Sequence, residues 1–440
     1  MMQRMLIGRL GASLLFSLLL LAGCTDVISD AGSEIKVEAP AQASKLRHGH
    51  LLDQAVRVEP GKTHNSATVG LVIGVSGTKL DRLKLVERFK LVERFEYEEV
   101  FGGIAVSVAA NELQNVLDSL NTEPNVLWYE PDIPVAEDPD ATGNDPAAGQ
   151  IVPWSTHHIG ATYSSVLAGD GSGAVSGVEV FIIDTGVSTP DVNVASSYDI
   201  PSSLAQGQRV SNAPDNDGHG THIAGIIAAC DDTDGVVGIA PCAAVHNYKV
   251  DAPNGDIDLS TVVMAVEDIT KYKKASPEKK IVVNISLGAD IGTTAYNALD
   301  EAIQASSAAG VVYVVAAGNS GVDASTISPA HVADAITVGA YDRSNVFAPF
   351  SNYGAVVDIL APGVDIPSLA AGPNTNRVAI MSGTSMAAAH VTGAVALQLA
   401  LGQATDVAGV RAALLNMGQD VVTGVPNAST TQRSVFVGGL

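Results

Sequence analysis

Apolar and polar positions follow two regimes along this chain. From Ser66 to Ala136 the pattern is that of a small α+β unit. Thr68–Val75 and Gly103–Val108 are rich in Val and Ile and predict strands. Asn111–Leu120 places apolar residues at 113, 116, 117 and 120, the spacing of one helix face. Val126–Tyr129 predicts a short strand that ends before Pro131. From Trp154 onward, nearly continuous apolar runs occur at Val178–Ile183, Ala244–Val250, Ile281–Leu287, Val311–Val315 and Ala335–Gly339. Helical patterns separate them at His219–Ala229, Leu259–Lys271, Thr294–Ala308 and Ser385–Leu401. Strands without a polar face are buried on both sides, as in a parallel sheet. Their alternation with helices predicts an α/β fold, a mostly parallel sheet with helices on both faces. Functional sites in such sheets collect at the carboxyl ends of strands.

The remaining segments break these patterns. Arg4 and Arg9 precede an apolar run, Leu10–Ala22, too short to span a bilayer and read as a secretory signal over residues 1–23. The run ends in Leu21-Ala22-Gly23-Cys24, which resembles a bacterial lipoprotein signal and implies a lipid on Cys24. Residues 24–65 are polar and rich in small side chains, as a tether would be. Lys84–Phe89 is repeated letter for letter as Lys90–Phe95, a single duplication expected within a helix–loop segment. Residues 137–149 are rich in Asp, Pro, Gly and Ala and read as an exposed linker, where a protease would cut.

Composition narrows the function. A 46% hydrophobic chain of 440 residues has ample material for a core. Its net charge of −23 excludes attraction to nucleic acid or anionic lipid surfaces. The three cysteines, Cys24, Cys230 and Cys242, form no zinc-spaced cluster.

Three short segments could carry chemistry. Asp184-Thr185-Gly186 directly follows a predicted strand. Alone it is usually a turn, and an aspartic protease would need a second such carboxylate, which the chain lacks. Asp217-Gly218-His219-Gly220-Thr221-His222 enters a predicted helix. His219 suits a general base, although His219 and His222 together also suggest a metal pair. Ser382-Gly383-Thr384-Ser385-Met386-Ala387 opens another helix, so Ser385 is either an N-cap or a nucleophile. A nucleophile there gains from the positive helix end, which favours the developing oxyanion. The order Asp, His, Ser on an α/β frame is one of the convergent catalytic-triad orders.

With these three segments, the chain from about Gln150 to residue 440 resembles the subtilase (peptidase S8) family. The resemblance implies a serine endopeptidase acting on proteins or peptides through Asp184, His219 and Ser385. It implies an oxyanion hole formed by Asn319, in Ala316-Ala317-Gly318-Asn319-Ser320, and the backbone N–H of Ser385. It also implies a substrate-binding segment, Ser286-Leu287-Gly288, opposite Ala316, Ala317 and Gly318, pairing with substrate as an added strand. The segment Cys230–Gly238 resembles the family's calcium loop. The implied ligands are the side chains of Gln150, Asp191 and Asp232 and the carbonyls of Cys230, Asp234 and Val236, an oxygen set that suits calcium. Cys230 and Cys242 bracket the loop, which implies a disulfide in an oxidising compartment. Residues 66–136 resemble the family's inhibitor I9 prodomain, which implies an intramolecular inhibitor. Ala389 stands where the family usually has Pro, which puts the seating of Ser385 in question.

The domain order expected is signal 1–23, lipidated Cys24 and tether to 65, prodomain 66–136, linker 137–149 and catalytic domain 150–440. A monomeric protein exported from a bacterial cell is expected, tied to the membrane only by its lipid as a precursor and released on maturation. No catalytic cofactor is expected. Two other readings compete. One is a catalytically silent homologue acting as a binding module; the other is a metal hydrolase built on His219 and His222.

Overall fold

The computed structural model describes residues 45–57, 67–135, 140–146, 149–201, 210–293, 295–372, 377–404, 406–427 and 430–440. The chain divides into two compact units, residues 1–37 and 38–440. The first unit lies outside the described residues, as do the predicted signal, Cys24 and the tether up to residue 44.

Thr68–Val75 is the middle of a five-stranded sheet. It pairs antiparallel with Gly103–Ala109 on one side and with Val126–Pro131 on the other. The last strand runs through Pro131, two residues past the expected end. Helices Lys79–Phe89 and Leu113–Thr122 complete the unit; the second buries Leu113, Val116, Leu117 and Leu120, the predicted stripe.

The tandem hexamer takes two conformations. Its first copy ends the helix Lys79–Phe89. Lys90 then turns through the left-handed region, and the second copy enters the strand Val92–Tyr97. The expectation of a helix–loop segment is therefore corrected to helix, turn and strand. Identical letters diverge because the second copy pairs with Gly103–Ala109, and tertiary pairing outweighs local propensity.

Two further expectations change. The tether does not extend to residue 65 as an unpacked segment. Val56–Arg57 adds to the sheet beside Thr68–Val69, Leu46 bridges Tyr129, and Leu51, Leu52 and Ala55 are buried. Val126–Pro131 reaches only from Leu71 onward, so Thr68 and Val69 offer backbone partners that polarity alone does not reveal. The linker contains a strand, Asp140–Pro146, antiparallel to Arg377–Ser382. Backbone pairing needs no hydrophobic period, so the composition concealed it.

The large sheet is mostly parallel. Its parallel core runs Val194–Asp199, Ala244–Lys249, Glu179–Asp184, Ile281–Ile285, Val312–Ala316, Ala335–Tyr341, Ile359–Pro362. Glu179–Asp184 comes first in the chain yet sits inside the sheet, with later strands laid down on both sides. Its carboxyl end is therefore a topological switch point, where a crevice opens. One apolar cluster joins the helices His219–Ala228 and Thr384–Ala400 to one face. Another joins Leu259–Ala275 and Ala298–Ala308 to the other face. Residues Thr384–Leu399 are buried all round, which explains that helix's nearly uniform apolar sequence. The helix expected from Thr294 begins at Ala298, where Asn297 and Asp300 form a capping box.

The small sheet packs on the second of these faces. Val72, Phe95, Tyr97 and Trp128 share an apolar cluster with Leu259, Val262 and Val266. Carboxylates meet helix ends across the contact. Asp132 accepts from Ser260 N at 2.8 Å and from Ser260 Oγ at 2.6 Å, at the start of Leu259–Ala275. Glu130 accepts from Ala298 N at 2.6 Å, at the start of Ala298–Ala308. In return, Glu267 accepts from the N–H groups of Glu98, Glu99 and Val100. Helix amino termini favour such anions.

Burial nevertheless pushes the Glu130 carboxyl up to about 8, with Asp300 and Glu301 adding to the rise and Ala298 N–H and Arg47 opposing it. A raised carboxyl favours the protonated form in the packed state. Its contribution is thus full below the ordinary carboxylate range and is lost as pH rises towards that value. Burial also raises Asp132 and Glu267, in the same direction. Hydrogen exchange of Thr68–Val75 in a Ser385→Ala chain should therefore quicken between about pH 5 and about pH 8 beyond the intrinsic chemical rate. Glu130→Gln should flatten that extra dependence; an unchanged profile in the variant would remove Glu130 as its source.

Candidate active site

Asp184 is the last residue of its strand and His219 the first of its helix. Both are fully buried, and Asp184 Oδ1 lies 2.8 Å from His219 Nδ1. The same oxygen accepts from Thr185 N at 2.9 Å. A buried carboxylate needs such donors to offset its lost hydration. Gly220 makes the approach possible: a β-carbon there would sit 2.2 Å from Gly186 O and 3.0 Å from Asp184 Oδ1.

The sequence reading missed the residue that braces this pair. Asp215 Oδ1 accepts from Thr185 Oγ1 at 3.0 Å and Gly218 N at 2.8 Å. Its Oδ2 accepts from Thr221 N at 2.9 Å and Thr221 Oγ1 at 2.5 Å. Thr185 Oγ1 also accepts from Gly220 N at 2.9 Å. One carboxylate thus ties the Asp184 turn to the first turn of the His219 helix. The available signal was an Asp two residues before the Asp217–His222 segment.

His222 plays a different part. Its Nε2 faces the carbonyls of Ile366 at 3.0 Å and Ala379 at 3.2 Å. Burial, then the neighbouring His219, pushes its pKa down to about 3. A neutral ring committed to two backbone carbonyls is a structural histidine, so His219 and His222 do not form the metal pair considered above.

Ser385 occupies the first turn of Thr384–Ala400. Its Oγ donates to Ser286 O at 3.3 Å, and Ser286 Oγ donates to Ser385 O at 3.3 Å. Asn319 lies across the same cavity. Its Oδ1 accepts from Thr384 N at 2.8 Å, so the NH2 end of the amide is the one that can serve as donor to the cavity. Gly318 N donates to Thr384 Oγ1 at 3.0 Å. Asn352, far away in sequence and also missed, accepts from Ser320 N and Val322 N and donates to Ala317 O. The Asn319 turn is thereby fixed at both ends. Ala389 is fully buried and the helix runs unbroken through it.

Ser286, Leu287, Gly288, Ala316 and Gly318 line the cavity with Ser385 and Asn319. Ala317, grouped with them from the sequence, is not among those lining residues and packs in an apolar cluster with Ile327, Tyr341 and Phe347. Gln54 and Pro134 reach the cavity from the small unit. Pro134–Val135 also pairs with Ile257–Asp258. Asp140–Pro146 pairs with Arg377–Ser382, the strand that leads into the Ser385 helix.

The predicted calcium ligands gather in one place. Gln150 Nε2 donates to Cys230 O at 2.8 Å, and Cys230 N donates to Asp191 O at 2.9 Å. Asp232 Oδ1 accepts from Asp234 N at 2.8 Å. Asp191 Oδ2 is buried without a hydrogen-bond partner. Burial, then Asp232 and Asp234, pushes that carboxyl up to about 7. Among the described residues no three His, Cys, Asp or Glu side chains form a metal cluster. The predicted set has two carboxylates, Asp191 and Asp232, and draws its other donors from the Gln150 amide and backbone carbonyls. An orphaned, buried carboxylate oxygen hemmed in by two acids fits an oxygen-ligated cation. Cys230 and Cys242 are joined by a disulfide, Cα atoms 4.5 Å apart, closing off this loop.

Comparison with known proteins agrees with this geometry. The profile of the subtilase family (peptidase S8) matches residues 175–432. An alkaline protease of Shouchella clausii is 36% identical over 285 residues, covering 64% of this chain and 66% of that protein, just under two thirds of its length. Subtilisin BL of Lederbergia lenta is 39% identical over 252 residues, covering 56% and 84%. The crystal structure of fervidolysin from Fervidobacterium pennivorans, a keratinolytic enzyme related to subtilisin, superposes with a TM-score of 0.65 at 22% identity. It covers 87% of this chain and 61% of that one, a likeness of fold. By its matched profile and its relatives, the chain belongs to the subtilase family.

Proposed function

We propose that this protein is an exported serine endopeptidase, made as a self-processing precursor, that cuts peptide bonds with Asp184, His219 and Ser385. The observation that carries this reading is the buried 2.8 Å contact of Asp184 and His219 at the sheet's switch point, beside a cavity shared by Ser385 and Asn319. In the reaction, His219 Nε2 takes the Ser385 proton as Oγ attacks the scissile carbonyl, then passes it to the leaving amine. Asp184 orients the ring and stabilises the imidazolium without taking the proton. The oxyanion sits between the Asn319 amide and the N–H groups at the start of Thr384–Ala400.

The small sheet serves as prodomain. Three observations support this: its carboxylates capping two helices, its Pro134–Val135 strand beside the cavity, and Gln54 and Pro134 at the cavity wall. A chain tethered in this way inhibits at high effective concentration until it is cut. The basic start and apolar run before Cys24 support export, with a lipid on Cys24 anchoring the precursor until the small unit is removed. Calcium held by Gln150, Asp191, Asp232 and the carbonyls of Cys230, Asp234 and Val236 neutralises the acidic loop and stabilises the fold.

Intact mass of the soluble chain from Thr25 onward should show two fragments for the wild type and one whole chain for Ser385→Ala. A chain that stays whole, and whose Ser385 a serine-directed phosphonate does not label, would favour the binding-module reading. Asn319→Ala should lower kcat by about 100-fold or more with little change in KM; an equal loss in binding would remove it from the oxyanion hole. Chelation should lower Tm by several degrees, restored by calcium and not by magnesium. Asp191→Asn should abolish the calcium response while leaving the phosphonate reaction intact; a persisting response would place the ion elsewhere.

A further inference from the structure

A second serine, away from Ser385, belongs to a hydrogen-bond relay of its own. Ser196 lies on Val194–Asp199, His246 on Ala244–Lys249 and Phe181 on Glu179–Asp184, and the three stand in register across the parallel ladder. Their side chains share one face of the sheet, as does that of Glu179, two residues before Phe181. Ser196 Oγ is 2.7 Å from His246 Nδ1, and His246 Nε2 is 2.6 Å from Glu179 Oε2. The order hydroxyl, imidazole, carboxylate is that of a catalytic triad, with the two ring nitrogens exchanged. Glu179 begins the strand that Asp184 ends, which sets the two carboxylates ~17 Å apart along the sheet.

The relay is oriented. Burial opposes the charge on Glu179, but hydrogen bonds from Lys279 and His246 outweigh it and hold the carboxyl below its usual range. Lys279 Nζ lies 2.5 Å from Glu179 Oε1, which leaves Oε2 for His246. An ionised carboxylate only accepts, so Nε2 carries the hydrogen between them. In the neutral ring Nδ1 is then the acceptor, and the Ser196 hydroxyl donates to it. The ring is clamped. It stacks on Phe181 with centroids 4.4 Å apart and planes at 11°, and the Tyr272 ring stands 5.7 Å away. Ser196 is reachable from solvent. It is half-buried beside the exposed Val194 and Ala195. Among the described residues, the outer strand Val210–Ser211 pairs only with Tyr198 and Asp199.

We propose that Ser196, His246 and Glu179 form a second nucleophilic centre, one that hydrolyses small activated carboxylic esters. Ser196 Oγ attacks the ester carbonyl and gives its proton to His246 Nδ1, while Glu179 stabilises the imidazolium. The bond from the carbonyl carbon to the ester oxygen breaks, and that oxygen leaves with the electron pair and takes the proton from His246. Water then attacks the acyl-serine through the same base, restoring the Ser196 hydroxyl and freeing the acid. Ser196 sits within a strand, whereas Ser385 opens a helix. Without a helix end to hold the oxyanion, the centre needs a good leaving group, which favours aryl esters over peptides. The peptidase reaction above uses none of these groups.

The test takes the Ser385→Ala chain from Thr25 onward, which lacks the other nucleophile, and 4-nitrophenyl acetate. Mass spectrometry of the quenched and digested protein should find an acetyl group on Ser196, formed with a burst of about one nitrophenolate per chain. Adding Ser196→Ala should lower nitrophenolate release above the buffer rate about tenfold or more. Glu179→Gln, added instead, should lower it by a smaller factor, because the ring loses its counter-charge and keeps its clamp. Acetyl groups on lysines alone, or a rate that Ser196→Ala leaves unchanged, overturn the proposal. The acetyl group is located on a chain whose relay is intact, so a variant that fails to fold does not blur the answer. Phosphonate labelling of Ser385 in the wild type decides the peptidase reading separately, and either can fail alone.

Discussion

A carboxylate with no exposure to water stands against an equally buried imidazole, and the structure around it is arranged to make that tenable. An isolated ion at such a place would cost several kcal/mol. Asp184 is compensated by Thr185 N and His219 Nδ1. Those donors are held in turn by Asp215, which joins the end of the strand to the start of the helix. The contact also needs Gly220, because any side chain there would meet the Gly186 carbonyl. Strand order does the rest: placing Glu179–Asp184 inside the sheet sets its carboxyl end next to Ser286, which follows the neighbouring strand and accepts from Ser385 Oγ.

The same electrostatic preference recurs where the small sheet meets the large one. Asp132 and Glu130 of the small sheet each place a carboxyl oxygen on a backbone N–H at a helix amino terminus. The small sheet therefore adheres through side-chain oxygens that satisfy helix N–H groups otherwise left without an intrahelical partner. Burial raises both capping carboxyls, so the adhesion carries a built-in sensitivity to pH.

Chain segments with little pattern of their own take structure from this frame. The tandem Lys-Leu-Val-Glu-Arg-Phe hexamer ends a helix in one copy and builds a strand in the other. Asp140–Pro146 joins a sheet through its backbone despite a composition suited to a linker. In each case the deciding partner is remote in sequence, and a short segment cannot report a partner it meets only on folding.

What the amino-acid sequence determined by itself was the class of fold, five of the seven strands of the parallel core (Val194–Asp199 and Ile359–Pro362 went unread) and the three segments around Asp184, His219 and Ser385. Those are carried by local patterns: long apolar runs, helical spacing, and glycine beside chemically capable side chains. Only the tertiary structure separated His219 from His222, since both stand in the same six residues and differ in what their rings face. Only it brought in Asp215 and Asn352, ordinary polar residues until their hydrogen bonds are seen. It also set Ala317 in an apolar cluster with Tyr341 and Phe347. Orientation and contact across distant segments depend on packing in three dimensions, and no local pattern encodes them.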